Sequence, residues 1–314
     1  NHDHIRRNQL YFQSQPNRLY STAGLDIRRR GTTFRRRIPI RVGVAPEGEL
    51  RAMCDECRAD ADVLDAGRER IYEFLAAILS HPDSGTWGRA TDPKAQMEDE
   101  AAVDALREGA TTWGGAPEFG PAGAPDLDLR SLVVELCQPL AHLKADYDRF
   151  FVKSRLNSHS PLEMDHKGAW RKRRPERAVE ELRREYEAAD CPDREWMPGR
   201  EDHAARELGF MAWLIARSRI QRRLVCLGGA PAASLRGCDL AQRHFFGHHL
   251  AGWLPDLASE LKEFEGGGCL EELGRFLAAW INLERRYLDA ESRFAETMPS
   301  PRGTSTPRPQ AALA

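Results

Sequence analysis

Three groups of side chains in this 314-residue chain have the types and spacing to do chemistry. The first is His244-Phe245-Phe246-Gly247-His248-His249. On a helix His244 and His248 stand four residues apart on one face, a metal-ligand spacing. A metallohydrolase of the HExxH kind needs a glutamate beside the first histidine, and Phe245 holds that place. A di-iron bundle needs Glu-x-x-His on paired helices, which neither Glu163-Met164-Asp165-His166 nor any other segment supplies. The simpler reading packs His249 against a neighbouring helix, leaves His244 and His248 facing solvent, and needs no metal.

The second group is Glu201-Asp202-His203. Asp202 is expected to cap a helix, and the acidic pair suits the positive helix end. A charged histidine there is unfavourable, so His203 is expected to stay neutral, with one donor and one acceptor for a bound backbone. The third group is aromatic. Tyr147, Phe150 and Phe151 are followed by Pro161-Leu162-Glu163 and Trp170 in an otherwise polar segment. Phe150 and Phe151 are most simply core. An apolar Pro-Leu and a Trp within a loop point instead to recognition, because functional residues gather on loops. Cys54-Asp55-Glu56-Cys57 is a single CxxC without a second pair or spaced histidines, which is weak evidence for zinc. Phosphate-binding GxxxxGK[ST], dinucleotide GxGxxG and GxSxG elbow patterns are absent.

These residues need helices to hold them. Ile71, Leu75, Ile78 and Leu79 lie on one face of a helix that Pro82 ends. A more polar helix is expected over about 94–110. Leu132, Leu136, Leu140 and Leu143 predict a further helix running into Asp146–Phe151. Pro175 suits the first turn of a charged helix to Ala189. Leu208, Met211 and Ile215 line a helix starting near Asp202. Leu240, Phe246, Leu250, Trp253, Leu257, Leu261 and Phe264 form a stripe that Pro255 divides, and Leu270, Leu273, Leu277, Trp280 and Leu288 form another. Gly266-Gly267-Gly268 connects these last two. Period-2 alternation and Asn-Gly or Asp-Gly hairpins are missing, so the fold class is all-α. The expected organisation is a disordered Arg-rich arm over 1–58, an all-helical domain over 59–297 and a disordered Pro/Ser/Thr tail over 298–314.

Net charge is −2, but residues 1–50 hold ten arginines against four carboxylates, so the remainder carries −8. A mildly acidic body with a basic arm argues against a nucleic-acid binder. No run approaches the roughly 18 apolar residues of a membrane helix, and no secretory signal is visible, so a cytoplasmic location is expected. The seven cysteines are odd in number and spread through a long chain, which is not a disulfide framework. Cys137, Cys226 and Cys269, among apolar neighbours, read as small core residues.

In order, these pieces resemble the TorD/DmsD/NarJ family of cytoplasmic chaperones for molybdenum-containing redox enzymes. Gln242-Arg243-His244-Phe245-Phe246-Gly247-His248-His249-Leu250-Ala251-Gly252-Trp253-Leu254-Pro255 is similar to the family's Q-x-x-F-[LF]-x-x-H-L-x-x-W-x-P pattern. Glu201 to Met211 resembles the P-x-D-H…E-L-x-F-M helix start, and Asp146-Tyr147-Asp148-Arg149-Phe150-Phe151 the D-Y-x-R-L-F segment. Pro161-Leu162-Glu163 stands where the family has a Pro-[Pro/Tyr]-Glu-Ser loop, and Ile71-Tyr72-x-x-Leu75 fits the opening helix. Two departures are clear: Arg200 replaces the proline expected before Asp-His, and the loop has one proline and no aromatic.

The resemblance, which spans about residues 62–290, implies a non-enzymatic, all-helical chaperone. It would bind the N-terminal leader or apo-form of a molybdopterin oxidoreductase's catalytic subunit until cofactor insertion, blocking premature export or misassembly. It implies client contacts at Tyr147, Phe150, Pro161, Glu163, Trp170, Glu201, Asp202, His203, Phe245, His249 and Trp253. It implies no catalytic residue, no metal and no resident cofactor, with molybdopterin or guanine nucleotide as transient contacts only. Nucleic acid and membrane insertion are not implied, and both monomer and dimer fit. The alternative reading is a metal-dependent enzyme in a helical bundle that uses the His244/His248 face. A further alternative is a binding protein that acts through its Arg-rich arm.

Overall fold

The computed structural model describes residues 47–113, 127–153, 159–166, 175–192, 198–227 and 229–297. The chain divides into two compact units, residues 1–49 and 50–314. Only residues 47–49 of the first are described, and the architecture below is that of the second. Among the described residues there are ten α-helices and no strand, only one isolated antiparallel bridge between Leu162 and His203.

Helix α1 covers Glu47–Leu79 and so begins within the segment assigned to the arm. The side chains of Cys54 and Cys57 lie outside the described set, as do residues 298–314. The expected stripe Ile71, Leu75, Ile78 and Leu79 is buried. The short α2 (Trp87–Ala90) is pinned under α1 by Trp87, whose indole N–H donates to the Ser80 carbonyl at 2.8 Å. Helix α3 covers Pro93–Trp113.

The Leu132–Leu143 stripe is one line in sequence but two helices in space, α4 (Arg130–Leu136) and α5 (Leu140–Tyr147). Pro139 lacks an N–H and sits at the N-cap of α5, where no such donor is needed. The restart rotates Leu140 to the surface at 51% exposure, while Leu132, Leu136 and Leu143 are buried. Asp148–Val152 then closes as a π-turn.

Helix α6 covers Pro175–Ala188 and α7 covers Ala204–Cys226. Helix α8 (Ala232–Phe245) passes into a second π-turn, Phe246–Leu250, before α9 (Leu254–Lys262). Pro255 lies in the first turn of α9 and therefore starts that helix. Leu240 departs from the expected stripe at 65% exposure, while Phe246, Leu250, Trp253, Leu257 and Leu261 are buried. The cysteine expectation is also corrected: Cys269 is core, but Cys137 and Cys226 are exposed.

Helix α10 (Gly268–Thr297) is the central element. Its stripe Leu270, Leu273, Leu277, Trp280 and Leu288 is buried, each side chain contributing about 1.5–3 kcal/mol by leaving water. Tyr72 and Phe74 of α1 meet Trp280 and Phe276 edge-on at centroid distances of 5.1 and 6.3 Å. Gly267 and Gly268 turn the chain from α9 into α10 with φ of +60° and +65°, a region open to glycine at little cost. Gly274 lets α9 lie directly on α10. A Cβ there would come within 2.7 Å of the Ala258 carbonyl oxygen and the Lys262 nitrogen.

An ionic centre ties four helices together inside this core. The Arg68 guanidinium of α1 donates twice to Glu284 of α10, at 2.7 and 2.8 Å, and once to Asp65 at 2.8 Å. It also reaches Gln242 of α8 at 3.1 Å and lies over the Tyr287 ring. Tyr72 donates to Glu284, Tyr287 to Asp65, and Arg222 of α7 to the second Asp65 oxygen. Arg68, Asp65, Gln242 and Glu284 are all buried. Among the described residues no helix is long and apolar enough to cross a membrane.

Candidate functional site

Two of the segments singled out in sequence are stitched together by backbone. Leu162 pairs with His203. The Glu163 N–H donates to the Asp202 carbonyl and the Ala204 N–H donates to the Pro161 carbonyl, both at 2.8 Å. Loop 159–166 is braced internally, by Ser160 Oγ to Asp165 and by the His166 ring to the Ser160 carbonyl, each at 2.6 Å. The Tyr186 hydroxyl of α6 donates to the Glu201 carbonyl at 2.8 Å. Pro161, Glu163, Glu201, Asp202 and His203 thus form one site although their two segments lie about forty positions apart in the chain.

The start of α7 corrects the expected cap. His203, not Asp202, is the N-cap, and its Nδ1 accepts the Ala205 N–H at 3.2 Å. An accepting ring nitrogen requires a neutral imidazole. Burial drives the His203 pKa down to about 4, against the opposing charge of Asp202. The expectation of a neutral His203 therefore has a structural cause, and its acceptor nitrogen is already used. Asp202 is fully buried, and both its oxygens are taken by the fork of Arg200, at 2.9 and 2.8 Å.

The second π-turn delivers the other half. A π-turn inserts an extra residue into helical spacing and redirects the side chains that follow. His249 points from it between two carboxylates, with Nδ1 3.3 Å from Glu163 and Nε2 3.2 Å from Glu185. Burial alone would lower its pKa, but the hydrogen bonds and charges of Glu163 and Glu185 outweigh it and lift the value to about 9. His249 is an imidazolium at neutral pH. Beneath it the Trp253 indole donates to Glu207 at 3.1 Å.

Glu163 and Glu207 are both fully buried; one oxygen of each (Oε1) receives no donor from any other residue, and the two carboxyls hydrogen-bond each other. Burial, then the neighbouring Glu163 charge, pushes the Glu207 carboxyl well above the usual carboxylate range. Burial also raises Glu163, with the His249 contact pulling the other way. Glu207 is thus the member of the pair that holds a proton the more readily, and Glu163 is the member that faces the His249 charge.

The remaining expected contacts fall elsewhere. Tyr147, Phe150, Phe245 and Trp253 are core side chains and offer no surface to a client. Tyr147 donates to the Leu79 carbonyl at 3.1 Å, and Phe245 packs edge-on to Phe210 at 4.6 Å. Phe150 is linked to the site indirectly, through His159 of the loop, which stacks on its ring at 4.5 Å. His166 lies against Trp253 at 4.9 Å. Trp170 lies outside the described residues. His244 and His248 are exposed, as the simpler sequence reading has it, and His248 Nδ1 donates to the His244 carbonyl at 2.9 Å. Among the described residues no group of three or more His, Cys, Asp or Glu is placed to hold a metal ion. Sequence reasoning missed Glu185, Glu207 and Arg200. Glu207 alone carried a signal, as an acidic position between Ala204-Ala205 and Leu208 on the apolar start of α7.

No curated protein and no solved structure matches the chain. A family model does: that of the nitrate reductase delta subunit covers residues 128–259. This span holds the loop 159–166, the α7 start and the second π-turn, so all three parts of the site lie within it. Over these residues the chain is similar to the nitrate reductase delta subunit family, which is of the NarJ/TorD type.

Proposed function

We propose that this protein is a maturation chaperone for the catalytic subunit of a molybdopterin oxidoreductase. It binds the subunit's N-terminal leader or apo-form, assists cofactor insertion and prevents premature export or misassembly. The observation that carries the reading is the family match over residues 128–259, together with the site inside it, where loop 159–166, the start of α7 and the second π-turn converge. The site's only imidazolium is clamped between two carboxylates, and His203 spends its acceptor nitrogen on a helix cap. What it offers is charge and backbone: Asp202, Glu201 and Asp165 toward a basic segment, and peptide groups beside the Leu162–His203 bridge. A partly apolar, Arg-bearing leader has the matching chemistry. This client-facing surface is smaller than the sequence implies, because Tyr147, Phe150, Phe245 and Trp253 stabilise it from below. Cytoplasmic action belongs to the same reading, and so does the chaperone domain of residues 59–297 flanked by the arm and the tail.

Cells lacking the protein should accumulate the catalytic subunit without molybdopterin, measured as cofactor per subunit after purification. Full cofactor occupancy in such cells would contradict the proposal.

A further inference from the structure

Carboxylates outnumber the cations of the site. Four carboxylates, Glu163, Glu185, Asp202 and Glu207, face His249 and Arg200, with His244 at the exposed edge 3.5 Å from Glu185. Glu163 and Glu207 hydrogen-bond each other through oxygens that no other donor reaches. The Asp202 carboxylate is answered by a cation instead, and its burial makes such a partner necessary.

Arg200 shows which donor geometry fits. Its guanidinium meets the floor carboxylate of Asp202 through two parallel bonds, the fork-to-carboxylate match that a lysine cannot make. Asp202 is fully buried, yet Arg200 is 56% exposed, so the fork reaches the floor from solvent. The charges of Asp165 and Glu201 act on the same guanidinium from the rim. An incoming guanidinium can therefore replace Arg200 bond for bond, so that the buried Asp202 keeps a partner while the half-exposed Arg200 turns into water.

We propose that Asp202 is the floor of a guanidinium subsite that takes an arginine side chain of the client, and that Arg200 occupies this subsite in the free protein as an internal competitor. The inference rests on the client-binding reading above. Selectivity follows from it: a client must present arginine, not merely positive charge, to open the site.

The test is calorimetric titration of the full chain with two synthetic peptides. One carries paired arginines before an apolar stretch; the other carries citrulline, the uncharged isostere, at both positions. The unaltered protein should prefer the arginine peptide. Removing an internal competitor raises apparent affinity by the inverse of the free fraction. Arg200→Gln should therefore tighten the arginine peptide by about tenfold and leave the citrulline peptide unchanged, and Asp202→Asn should abolish the preference. Arg200→Lys, which keeps the charge but loses the fork, should fall between; it also serves as the test if Arg200→Gln does not fold by circular dichroism. Unchanged or weaker arginine-peptide binding in the Arg200 variants would overturn the competitor role. Equal binding of both peptides to the unaltered protein would overturn the subsite while leaving the chaperone reading intact, provided that the catalytic subunit still co-purifies. Absence of all peptide binding together with absence of co-purification would overturn both.

Discussion

Two buried polar centres lie in the same helical body and are built on opposite terms. At Arg68 every carboxylate oxygen has a donor. Glu284 receives Arg68 twice and Tyr72 once, and Asp65 receives Arg68, Tyr287 and Arg222. Two cations, Arg68 and Arg222, meet two anions, and the orphan there is a donor at the partly exposed edge, Arg222 Nη1. At Glu163 and Glu207 two fully buried carboxyls hydrogen-bond each other through oxygens that no cation reaches. A centre whose carboxylates are met by cations holds helices together; one in which two carboxyls face each other is held by the fold around it. The first joins α1, α7, α8 and α10. The second sits where a loop, a helix start and a π-turn converge, inside the family-matched span.

The largest expected effect comes from breaking the satisfied centre. Arg68→Met strands Glu284 and Asp65, and removal of one partner from a buried ion pair costs about 3–5 kcal/mol. Urea unfolding should show that loss. Glu207→Gln should cost under about 1 kcal/mol or stabilise, because burial already favours the protonated carboxyl and the amide can likewise donate toward Glu163. Equal losses for the two variants would erase the distinction between the centres.

A pH titration sharpens the comparison. His249 is raised in the fold to about 9 from 6.5. Its contribution is therefore fully present below about 6.5 and is lost as pH rises through about 9. It amounts to at most about 3 kcal/mol. The raised Glu207 acts in the same direction, its protonated form being the favoured one in the fold. Glu185 is lowered: burial pushes it up, but His249 pulls harder, so its contribution is lost only as pH falls through its folded value. The melting temperature should decline between pH 6.5 and 9, and His249→Gln should flatten most of that decline. An unchanged slope in His249→Gln would place the titration elsewhere.

Smaller effects separate capping from binding. His203→Ala removes the α7 cap and should cost about 1 kcal/mol by thermal unfolding. Asp202→Ala should weaken client affinity with little change in helical content by circular dichroism. Smallest of all, His244→Ala with His248→Ala should change stability by under about 0.5 kcal/mol, since both side chains are exposed. A larger loss, or loss of a stoichiometric metal, would bring the metal reading forward.

The all-α class was legible because helix periodicity is a local signal, and Ile71-Leu75-Ile78 and Leu273-Leu277-Trp280 carry it plainly. The misreadings occur where a helix is interrupted. Leu140 continues the spacing of Leu132 and Leu136 in sequence, but Pro139 restarts the helix and turns it outward. The two π-turns have no marker in residue type, and one of them sets the direction of His249. The site was half legible. Glu163, Asp202, His203 and His249 were expected, because unusual residue types stood out against apolar or polar surroundings. Glu185 and Arg200 were not, because an isolated charge in sequence reads as solvated surface. Arg68 was hidden for the same reason, with Gln242 and Glu284 174 and 216 positions away. The cap assignment went to Asp202 on residue preference, whereas a β-bridge forty positions back fixed His203 in that place.

The most direct test of the central claim is affinity capture of the tagged chain from its native cells, with mass spectrometry of the partners and metal analysis of the same eluate. Recovery of the catalytic subunit of a molybdopterin oxidoreductase, lost in Asp202→Ala and with no stoichiometric metal on the chain itself, is the predicted result. Recovery of the chain alone, carrying about one transition-metal ion per molecule at the His244/His248 face, would contradict the account.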